Sequence, residues 1–405
     1  MTARRRSGIL PDMTTLARHP AFVRLWLSGL FAETAEWMLQ VALPVYVYQA
    51  TGSAGSTALV MVTGILPMLL VSPVAGVVAD RFDRRRVLYA VCLAQALVTV
   101  PLLFGSHQVL IYVVMVAQSA LASLFEPTRN ALVPALVGAD RLASANGLMG
   151  FNSSISRLAG SSLGGLVLGV WGLSWVVAGY LAALVIAALL LVPRFGVHVE
   201  SVPSDPGSWL DGVRALRDPS LRATGVTLAL MALGQGMFLV LFVVFVTGPL
   251  RGGDADVGLL RGIQAVGGLG AGLLIAAVAN RVSAVRMMGL GILTLGLCSA
   301  LIWNLPHVTV TFWLYVVLFA VVGAPAVVAQ SAALTAVQLR APDELAGRVL
   351  ATVYAGFAGL TTVGTLVAGY LVGTVGLDVL LDVQAGMLVA AGIAALLRKS
   401  HFRGA

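Results

Sequence analysis

The stretch Gly76-Val-Val-Ala-Asp-Arg-Phe-Asp-Arg-Arg-Arg86 decides how this sequence folds. It joins two apolar runs, 56–79 and 87–104, and each is close to the roughly 20 residues that a helix needs to cross a bilayer. A connection this short predicts a tight turn at the membrane surface. The stretch carries two acids and four arginines. Because basic residues in short loops stay on the cytoplasmic side, it also predicts the orientation of both helices.

The composition extends this interpretation to the whole chain. Hydrophobic residues make up 59% of the 405 residues, charged residues make up 10%, and the mean hydropathy is +0.96. No soluble domain of this length could bury so much apolar surface. The apolar runs are continuous and do not alternate at every second residue, so they predict helices and not barrel strands. The predicted fold class is therefore an all-α membrane protein.

The same sequence excludes several classes of function. A pI of about 10.1 could indicate nucleic-acid binding, but the arginines are spread over connecting loops, which is typical of membrane topology. Cys92 and Cys298 lie inside apolar runs, so neither a disulfide nor a zinc site is expected. Because the sequence has no metal cluster, nucleophile constellation or phosphate-binding glycine loop, we expect no enzyme, no cofactor and no metal.

Twelve apolar segments predict twelve transmembrane helices. We place them near 21–49, 56–79, 87–104, 108–131, 144–170, 174–193, 222–247, 257–279, 286–303, 309–337, 346–373 and 379–397. The longest hydrophilic stretch, 194–221, predicts a cytoplasmic linker. It would divide the chain into an N-terminal six-helix bundle with its tail, 1–193, and a C-terminal six-helix bundle, 222–405.

The basic residues predict which side each loop occupies. Of the 25 lysines and arginines, we assign Arg251 to the outer side, Arg261 to an outer helix edge and Arg157 to the interior of a span. The others fall in tails, cytoplasmic loops or cytoplasmic helix ends, and residues 1–19 are polar and basic, unlike a cleavable signal peptide. We therefore expect a multi-pass protein of the bacterial inner (plasma) membrane with both termini in the cytoplasm.

The two halves repeat with an offset close to 200 residues. Matched pairs are Pro20 and Pro219, Asp80 and Asn280, Gly160 and Gly364, and Gly165 and Gly369. A parallel repeat of this kind predicts a substrate site between the halves near the midplane of the membrane.

Span 1 carries two acids on one helix face. Gly29, Glu33, Glu36 and Gln40 are spaced by four, three and four residues, which places them on one side. A charge at mid-membrane costs roughly 2.5–3.5 kcal/mol, so both glutamates should face a wet cavity or a partner. Arg157, midway along span 5, is the predicted partner, and one glutamate is predicted to carry protons. The alternative is a static salt bridge that fixes helix 1 against helix 5.

A second charged cluster, Glu126, Pro127 and Arg129, lies near the cytoplasmic end of span 4. Pro127 removes a helix hydrogen bond and can kink the span. The cluster predicts a second protonation site at Glu126 and an inner gate that includes Arg129. The alternative is a charged helix end at the membrane interface.

Further polar residues within the apolar spans predict a mostly apolar substrate cavity with scattered hydrogen-bonding groups. The predicted lining residues are Trp37, Gln40, Gln118, Asn152, Gln235, Gln264 and Gln330. Gln235 matches Glu36 in the repeat, so a titrating group at this position belongs to the N-terminal half only. For the aromatic residues, packing or lipid contact is the alternative.

The loop between spans 2 and 3 resembles a signature of the major facilitator superfamily, in which Gly-x-x-x-Asp-Arg-x-Gly-Arg-Arg joins helices 2 and 3. The matching residues are Gly76, Asp80, Arg81, Arg84 and Arg85. Asp83 stands where the signature has its second glycine. The resemblance implies two six-helix bundles related by a pseudo-twofold axis. It also implies a gating role for the loop, with Asp80 contacting the start of span 11 near 346–348.

Other stretches resemble the bacterial branch of that superfamily that includes siderophore exporters and macrolide-type efflux pumps. These stretches are 36–44, 125–134 and 140–146. The run 157–165 resembles the span 5 signature of antiporters, with Ser161 in place of the signature proline. The arginine that drug antiporters commonly carry in mid span 4 is absent, since 115–121 contains only Gln118 as a strongly polar residue.

The leading hypothesis is a proton-coupled exporter of an amphipathic small molecule, such as a drug, an antibiotic or a siderophore. It would work by rocker-switch alternating access, as a monomer. The expected partners are the small-molecule substrate, protons and the lipid bilayer, and no nucleic acid. The alternatives are a transporter that translocates lipids or lysolipids and a nutrient importer of the same fold.

Overall fold

The computed structural model describes Leu16, residues 19–138, 141–193, Arg214, and residues 218–278, 282–340 and 346–397. Within its helices, the side chains of 68–69, 72–81, 143, 219–220, 273–274, 276–278 and 346–348 lie outside the description. The predicted tails and most of the predicted linker, 194–221, also lie outside the described residues.

The described residues form twelve long α-helices and no strand. They are α1 Pro20–Thr51, α2 Ala54–Arg81, α3 Arg84–Thr99, α4 Gln108–Val137, α5 Leu142–Trp171, α6 Leu173–Leu191, α7 Pro219–Thr247, α8 Asp254–Val278, α9 Ala284–Asn304, α10 Phe312–Gln338, α11 Ala346–Val375 and α12 Leu377–Leu397. Short 3-10 turns follow α3 and α9. The prediction of an all-α chain is confirmed, and α7 begins slightly before the predicted end of the linker.

Local chemistry explains several helix ends. His19 precedes α1 and its Nδ1 accepts a hydrogen bond from the Phe22 N–H at 3.4 Å, and Pro20 occupies the first turn, where its missing N–H costs nothing. Gly52 ends α1 at φ 63°, in the left-handed region that glycine adopts readily. Asp83 accepts a hydrogen bond from the Arg86 N–H at 2.9 Å. Asp83 therefore starts α3 as an N-cap, which explains an acid where the superfamily signature has glycine.

Eight of the described helices are long and apolar enough to cross a membrane: α3, α4, α6, α7 and α9–α12. The described apolar part of α2 is shorter, Ala54–Pro67. Helices α1, α5 and α8 are not among these eight, and they carry Glu33, Glu36, Arg157 and Arg261. These four charged residues line the cavities described below.

The helix contacts repeat between the first six and the last six helices. Helix α1 packs on α5 and α6, as α7 packs on α11 and α12, and α4 contacts α2 and α3, as α10 contacts α8 and α9. Across the two sets, α5 packs on α8 and α2 packs on α11. The sequence repeat therefore has a structural counterpart.

Matched glycines make matched contacts. A Cβ added at Gly160 would meet the Thr34 carbonyl oxygen of α1, and one at Gly364 would meet the Leu233 carbonyl oxygen of α7. In the same way, Gly165 faces the α8 backbone, and Gly369 faces α2. These positions are glycine because two helix backbones approach too closely for a side chain.

The first testable prediction concerns Gly160, where an added Cβ would also lie 2.7 Å from the Trp37 Cβ. Gly160→Ala is expected to push α5 away from α1 and to reduce the yield of monodisperse protein and its thermal midpoint. Gly150→Ala in the same helix is the matched control, because a Cβ there meets nothing within 4 Å. Equal yields and midpoints for the two variants would contradict the prediction.

The two ends of the molecule are packed differently. We call the end where α6 ends and α7 begins the linker end, and the opposite end the far end. At the far end, α5 and α8 touch at Gly165 and Gly258, and Gly55 of α2 lies against Tyr370 of α11. At the linker end, a Cβ at Gly147, Gly150 or Gly272 would meet nothing within 4 Å. Among the described side chains, α5 and α8 are therefore in contact at the far end, whereas these three glycines face open space at the linker end.

Candidate functional site

Three adjoining cavities lie along the centre of the molecule. The acidic cavity, about 770 Å³, is lined by Glu33, Glu36 and Glu126 among others. The arginine cavity, about 260 Å³, and the far cavity, about 220 Å³, share Arg261. Arg157 lines both the acidic and the arginine cavity, and Trp37 lines both the acidic and the far cavity. The shared residues make these cavities neighbours along one central path.

Glu33 pairs with Arg129, and the predicted pairing of the span 1 glutamates with Arg157 is wrong. The Arg129 Nη1 donates to the Glu33 Oε1, with side-chain exposures of 4% for Arg129 and 15% for Glu33. Gly29 makes this approach possible, since a Cβ there would lie 2.8 Å from the Arg129 Nη1. Arg129 is therefore a buried partner of α1, and not an exposed charge at the helix end.

Glu36 lines the acidic cavity one turn beyond Glu33 and accepts a hydrogen bond from the Gln40 Nε2 at 2.9 Å. No ion pair joins Glu36 to another residue within the described part of the chain. Glu126, an exposed residue of α4, lines the same cavity. Glu36 and Glu126 form no ion pair within the described ranges. They share one cavity with Glu33, whose charge is balanced by Arg129.

Arg157 lies between Trp37 of α1 and Gly268 of α8 and forms no ion pair with Glu33 or Glu36. Its guanidinium Cζ lies 6.0 Å from the centre of the Trp37 ring, and its Nη2 would be 3.4 Å from a Cβ at Gly268. The Arg157 Nε is buried and has no hydrogen-bond partner among the described residues. Because Gly160 and Gly165 direct neighbouring faces of α5 at α1 and α8, Arg157 lies at the edge between these two helices.

The predicted cavity residues divide into two groups. Trp37 and Gln40 line the acidic and far cavities, and Gln235, Gln264 and Gln330 line the arginine cavity. Gln118 and Asn152 line none of the three cavities, so their predicted placement is wrong.

Both of these residues form buried hydrogen bonds between helices instead. The Gln118 Nε2 donates to the Gln95 carbonyl oxygen at 2.7 Å, and its Oε1 accepts from the Tyr180 hydroxyl at 2.7 Å. The Asn152 Nδ2 donates to the Trp26 carbonyl oxygen at 2.6 Å. Such bonds satisfy polar groups inside an apolar bundle.

Arg261 is the site residue that sequence reasoning missed. The sequence predicts Arg261 at an outer helix edge, and this placement is wrong because α8 begins at Asp254. Arg261 lies two turns inside the helix and lines two cavities. Its Cζ lies 5.1 Å from the centre of the Phe238 ring. The spacing of Arg261, Gln264 and Gly268, three and then four residues, is a helix-face signal that could have identified it.

The predicted gating loop is only partly described. Gly76, Asp80 and Arg81, and the proposed contact region 346–348, lie outside the described side chains. The Arg84 Nη1 donates to the Ala131 carbonyl oxygen of α4 at 2.9 Å, and the Arg85 Nη1 donates to the Leu191 and Val192 carbonyl oxygens at 2.8 and 2.6 Å. These bonds join the start of α3 to the linker-end turns of α4 and α6.

At the far end, the Gln49 Nε2 donates to the Asp254 carboxylate and so connects α1 to α8. Asp254 is the first residue of α8 and precedes the predicted span 257–279. Burial raises the pKa of the Asp254 carboxyl. The packed far end therefore favours the protonated acid, so burial of Asp254 at this end is expected to become more favourable as the pH falls.

A sequence profile of the major facilitator superfamily (MFS), described as transmembrane secretion effector, matches residues 13–402. The chain belongs to this family. It is thus a multi-pass membrane transporter and not an enzyme. The resemblance stated from the sequence motifs is confirmed.

The chain is similar in sequence to bacterial efflux proteins. The chain is 32% identical over 404 residues to the multidrug efflux pump Tap of Mycobacterium tuberculosis, covering 94% of this chain and 93% of Tap. It is 25% identical over 206 residues to macrolide efflux protein A of Streptococcus pyogenes, covering 48% of this chain and 51% of that protein.

Solved structures show the same fold at low identity. The nucleoside transporter NupG matches with a TM-score of 0.77 and 13% identity over 93% of this chain and 99% of NupG. A bacterial homologue of the iron transporter ferroportin, in an inward-facing state, matches with a TM-score of 0.71 and 16% identity over 93% of this chain and 98% of that chain. At these identities the likeness concerns the fold alone.

Proposed function

We propose that this MFS protein is a proton-coupled exporter of amphipathic small molecules that works by alternating access. The family description and the efflux-pump names of the relatives support export. The observation that carries proton coupling is the acidic cavity, in which Glu36 has no ion pair with a described residue although Glu33 beside it is paired with Arg129.

The same proposal includes the topology. The chain would form twelve spans in two six-helix bundles, 1–193 and 222–405, joined by the cytoplasmic linker 194–221. Both termini would lie in the cytoplasm of a bacterial cell, so that the linker end faces inward. The repeated helix contacts and the matched glycines support two related halves. Separation at the linker end would then correspond to an inward-open state of a monomer.

In the proposed mechanism, Glu36 takes up and releases the proton. A carboxyl in an apolar span is more stable when neutral, and it loses its proton more readily in a hydrated cavity. As the halves rock, the acidic cavity would close and lose water, which favours protonated Glu36. Glu33 would remain the ionised partner of Arg129, and Glu126 would be the second proton site. Trp37, Gln40 and the arginine cavity would contact the substrate.

Replacement of Glu36 tests this assignment. Glu36→Gln keeps size and hydrogen bonding but cannot titrate, so it is expected to abolish substrate accumulation driven by a pH gradient while leaving substrate binding measurable. The measurement is uptake into vesicles with an imposed proton gradient, over a panel of dyes, antibiotics, siderophores and lysolipids. Asp378→Asn, at an exposed position of α12, is the matched control for loss of a carboxyl.

The outcomes separate the candidate roles. If Glu36→Gln vesicles still accumulate substrate in response to pH, Glu36 is misassigned, and the same assay on Glu126→Gln decides whether Glu126 carries the proton. Transport of lysolipids alone would indicate a lipid-translocating protein. Gradient-driven movement of a polar nutrient in the opposite direction would indicate an importer.

A further inference from the structure

We propose that the arginine cavity binds the anionic group of the substrate between Arg157 and Arg261. This inference rests on the proposed function and defines the charge class of its substrate: an amphipathic molecule with one carboxylate or sulfonate group. It concerns equilibrium binding, so it can be tested apart from proton coupling.

Geometry brings the two arginines to one cavity. Both line it, Arg261 from α8 and Arg157 from α5. Gly268 lies seven residues after Arg261 and thus on the same face of α8, roughly 10 Å along the helix axis. The Arg157 guanidinium lies against that face of α8, with its Nη2 3.4 Å from the position of a Cβ at Gly268. Two cations therefore border one cavity.

The cavity contains no opposite charge of its own. No aspartate or glutamate lines it among the described residues, and its other polar lining groups are amides, a serine and a tryptophan. Glu33, which lines the neighbouring acidic cavity, is paired with Arg129. A buried cation without a partner is costly, and arginine does not escape this cost by losing its proton. A bound anion would supply the missing partner for both guanidinium groups and relieve their mutual repulsion.

The remaining lining favours an apolar body on the same ligand. Phe238, Trp303 and Phe319 form one side of the cavity, and the rings of Trp303 and Phe319 pack at a centroid distance of 6.2 Å. The amides of Gln235, Gln264 and Gln330 can donate or accept hydrogen bonds. An aromatic or alicyclic body with one anionic group matches this division between apolar and cationic surface.

The test compares two probes of nearly equal size, naphthalene-2-sulfonate and its uncharged analogue naphthalene-2-sulfonamide. Binding to the purified full-length protein is measured by isothermal titration calorimetry without any gradient. The sulfonate is expected to bind at least about tenfold more tightly, which corresponds to about 1.4 kcal/mol. Arg157→Gln and Arg261→Gln are each expected to reduce this ratio several-fold, while Arg286→Gln, at an exposed position of α9, preserves it.

Binding of the sulfonamide reports whether each variant keeps a folded cavity, so a reduced ratio cannot be mistaken for unfolding. The proposal is overturned if the sulfonate does not bind at millimolar concentration, if it binds no more tightly than the sulfonamide, or if all three variants keep the same ratio. Tighter binding of naphthalen-2-ylmethylammonium would also overturn it, since the cavity would then select a cation. If the unsubstituted protein shows no pH-driven transport but keeps the preference for the sulfonate, only the proton coupling is contradicted.

Discussion

Gly165→Ala is expected to abolish transport by preventing the far end from closing. A Cβ at Gly165 would meet the Asp254 carbonyl oxygen and would lie 2.8 Å from the Gly258 Cα, so backbone atoms and not a flexible side chain stand in its way. Helices α5 and α8 would have to separate at this point. A cost of only about 1.4 kcal/mol shifts a two-state equilibrium tenfold. We therefore expect the variant to favour the conformation that is open at the far end.

The matched control is Gly169→Ala, one turn further along α5. A Cβ there would lie 3.4 Å from the Asp254 Cβ, which is an ordinary contact. Spin labels on exposed positions of α5 and α8 at the linker end report the conformation by double electron–electron resonance. The linker-end distance should shorten in Gly165→Ala and stay unchanged in Gly169→Ala. Unchanged distances and transport in both variants would show that far-end closure does not depend on this contact.

Breaking the pair between Arg129 and Glu33 is expected to have the second large effect. Removing one member of a buried ion pair costs about 3–5 kcal/mol, because the other charge remains buried without compensation. Arg129→Gln and Glu33→Gln should each lower the thermal midpoint, on the order of 5 °C or more. The double variant Glu33→Gln with Arg129→Gln should recover most of this loss, since two amides can hydrogen-bond to each other.

Arg86→Gln is the control for loss of one arginine, because Arg86 is exposed at the start of α3. It should leave the thermal midpoint unchanged. The double-variant cycle also separates the two roles considered for Glu33. If the double variant is stable and still transports in response to pH, the pair is structural and Glu33 does not carry the proton. Additive losses without recovery would mean that the two side chains do not stabilise each other.

The helices were predictable from the sequence because each apolar run has the length that a bilayer requires, and the matched glycines follow from a repeat that is visible by eye. The partner of Glu33 was not predictable. Similar depth in the membrane does not fix the rotation of a helix, and Arg157 lies between Trp37 of α1 and Gly268 of α8 without pairing with either glutamate.

Helix ends explain two further differences. The predicted end of span 4 at 131 made Arg129 a terminal residue, but α4 continues to Val137, and Arg129 is buried against α1 at Gly29 and Glu33. Likewise α8 begins at Asp254, so Arg261 lies inside the helix and not at its edge.

Gln118 and Asn152 were placed in the cavity because they are polar. Their hydrogen bonds to Tyr180 and Trp26 show that a polar group in a span can equally serve packing between helices.

The pairing of Glu33 with Arg129 also constrains how the protein is made. The two residues are 96 positions apart, and at roughly 5–20 residues per second the ribosome needs about 5–20 s to extend the chain from one to the other. Throughout this interval α1 carries two glutamates whose mid-membrane cost is roughly 2.5–3.5 kcal/mol each on insertion scales. Helix α1 should therefore stay beside the insertion machinery until α4 emerges. Crosslinks from α1 to that machinery should persist in chains stopped before residue 129 and decline in longer ones.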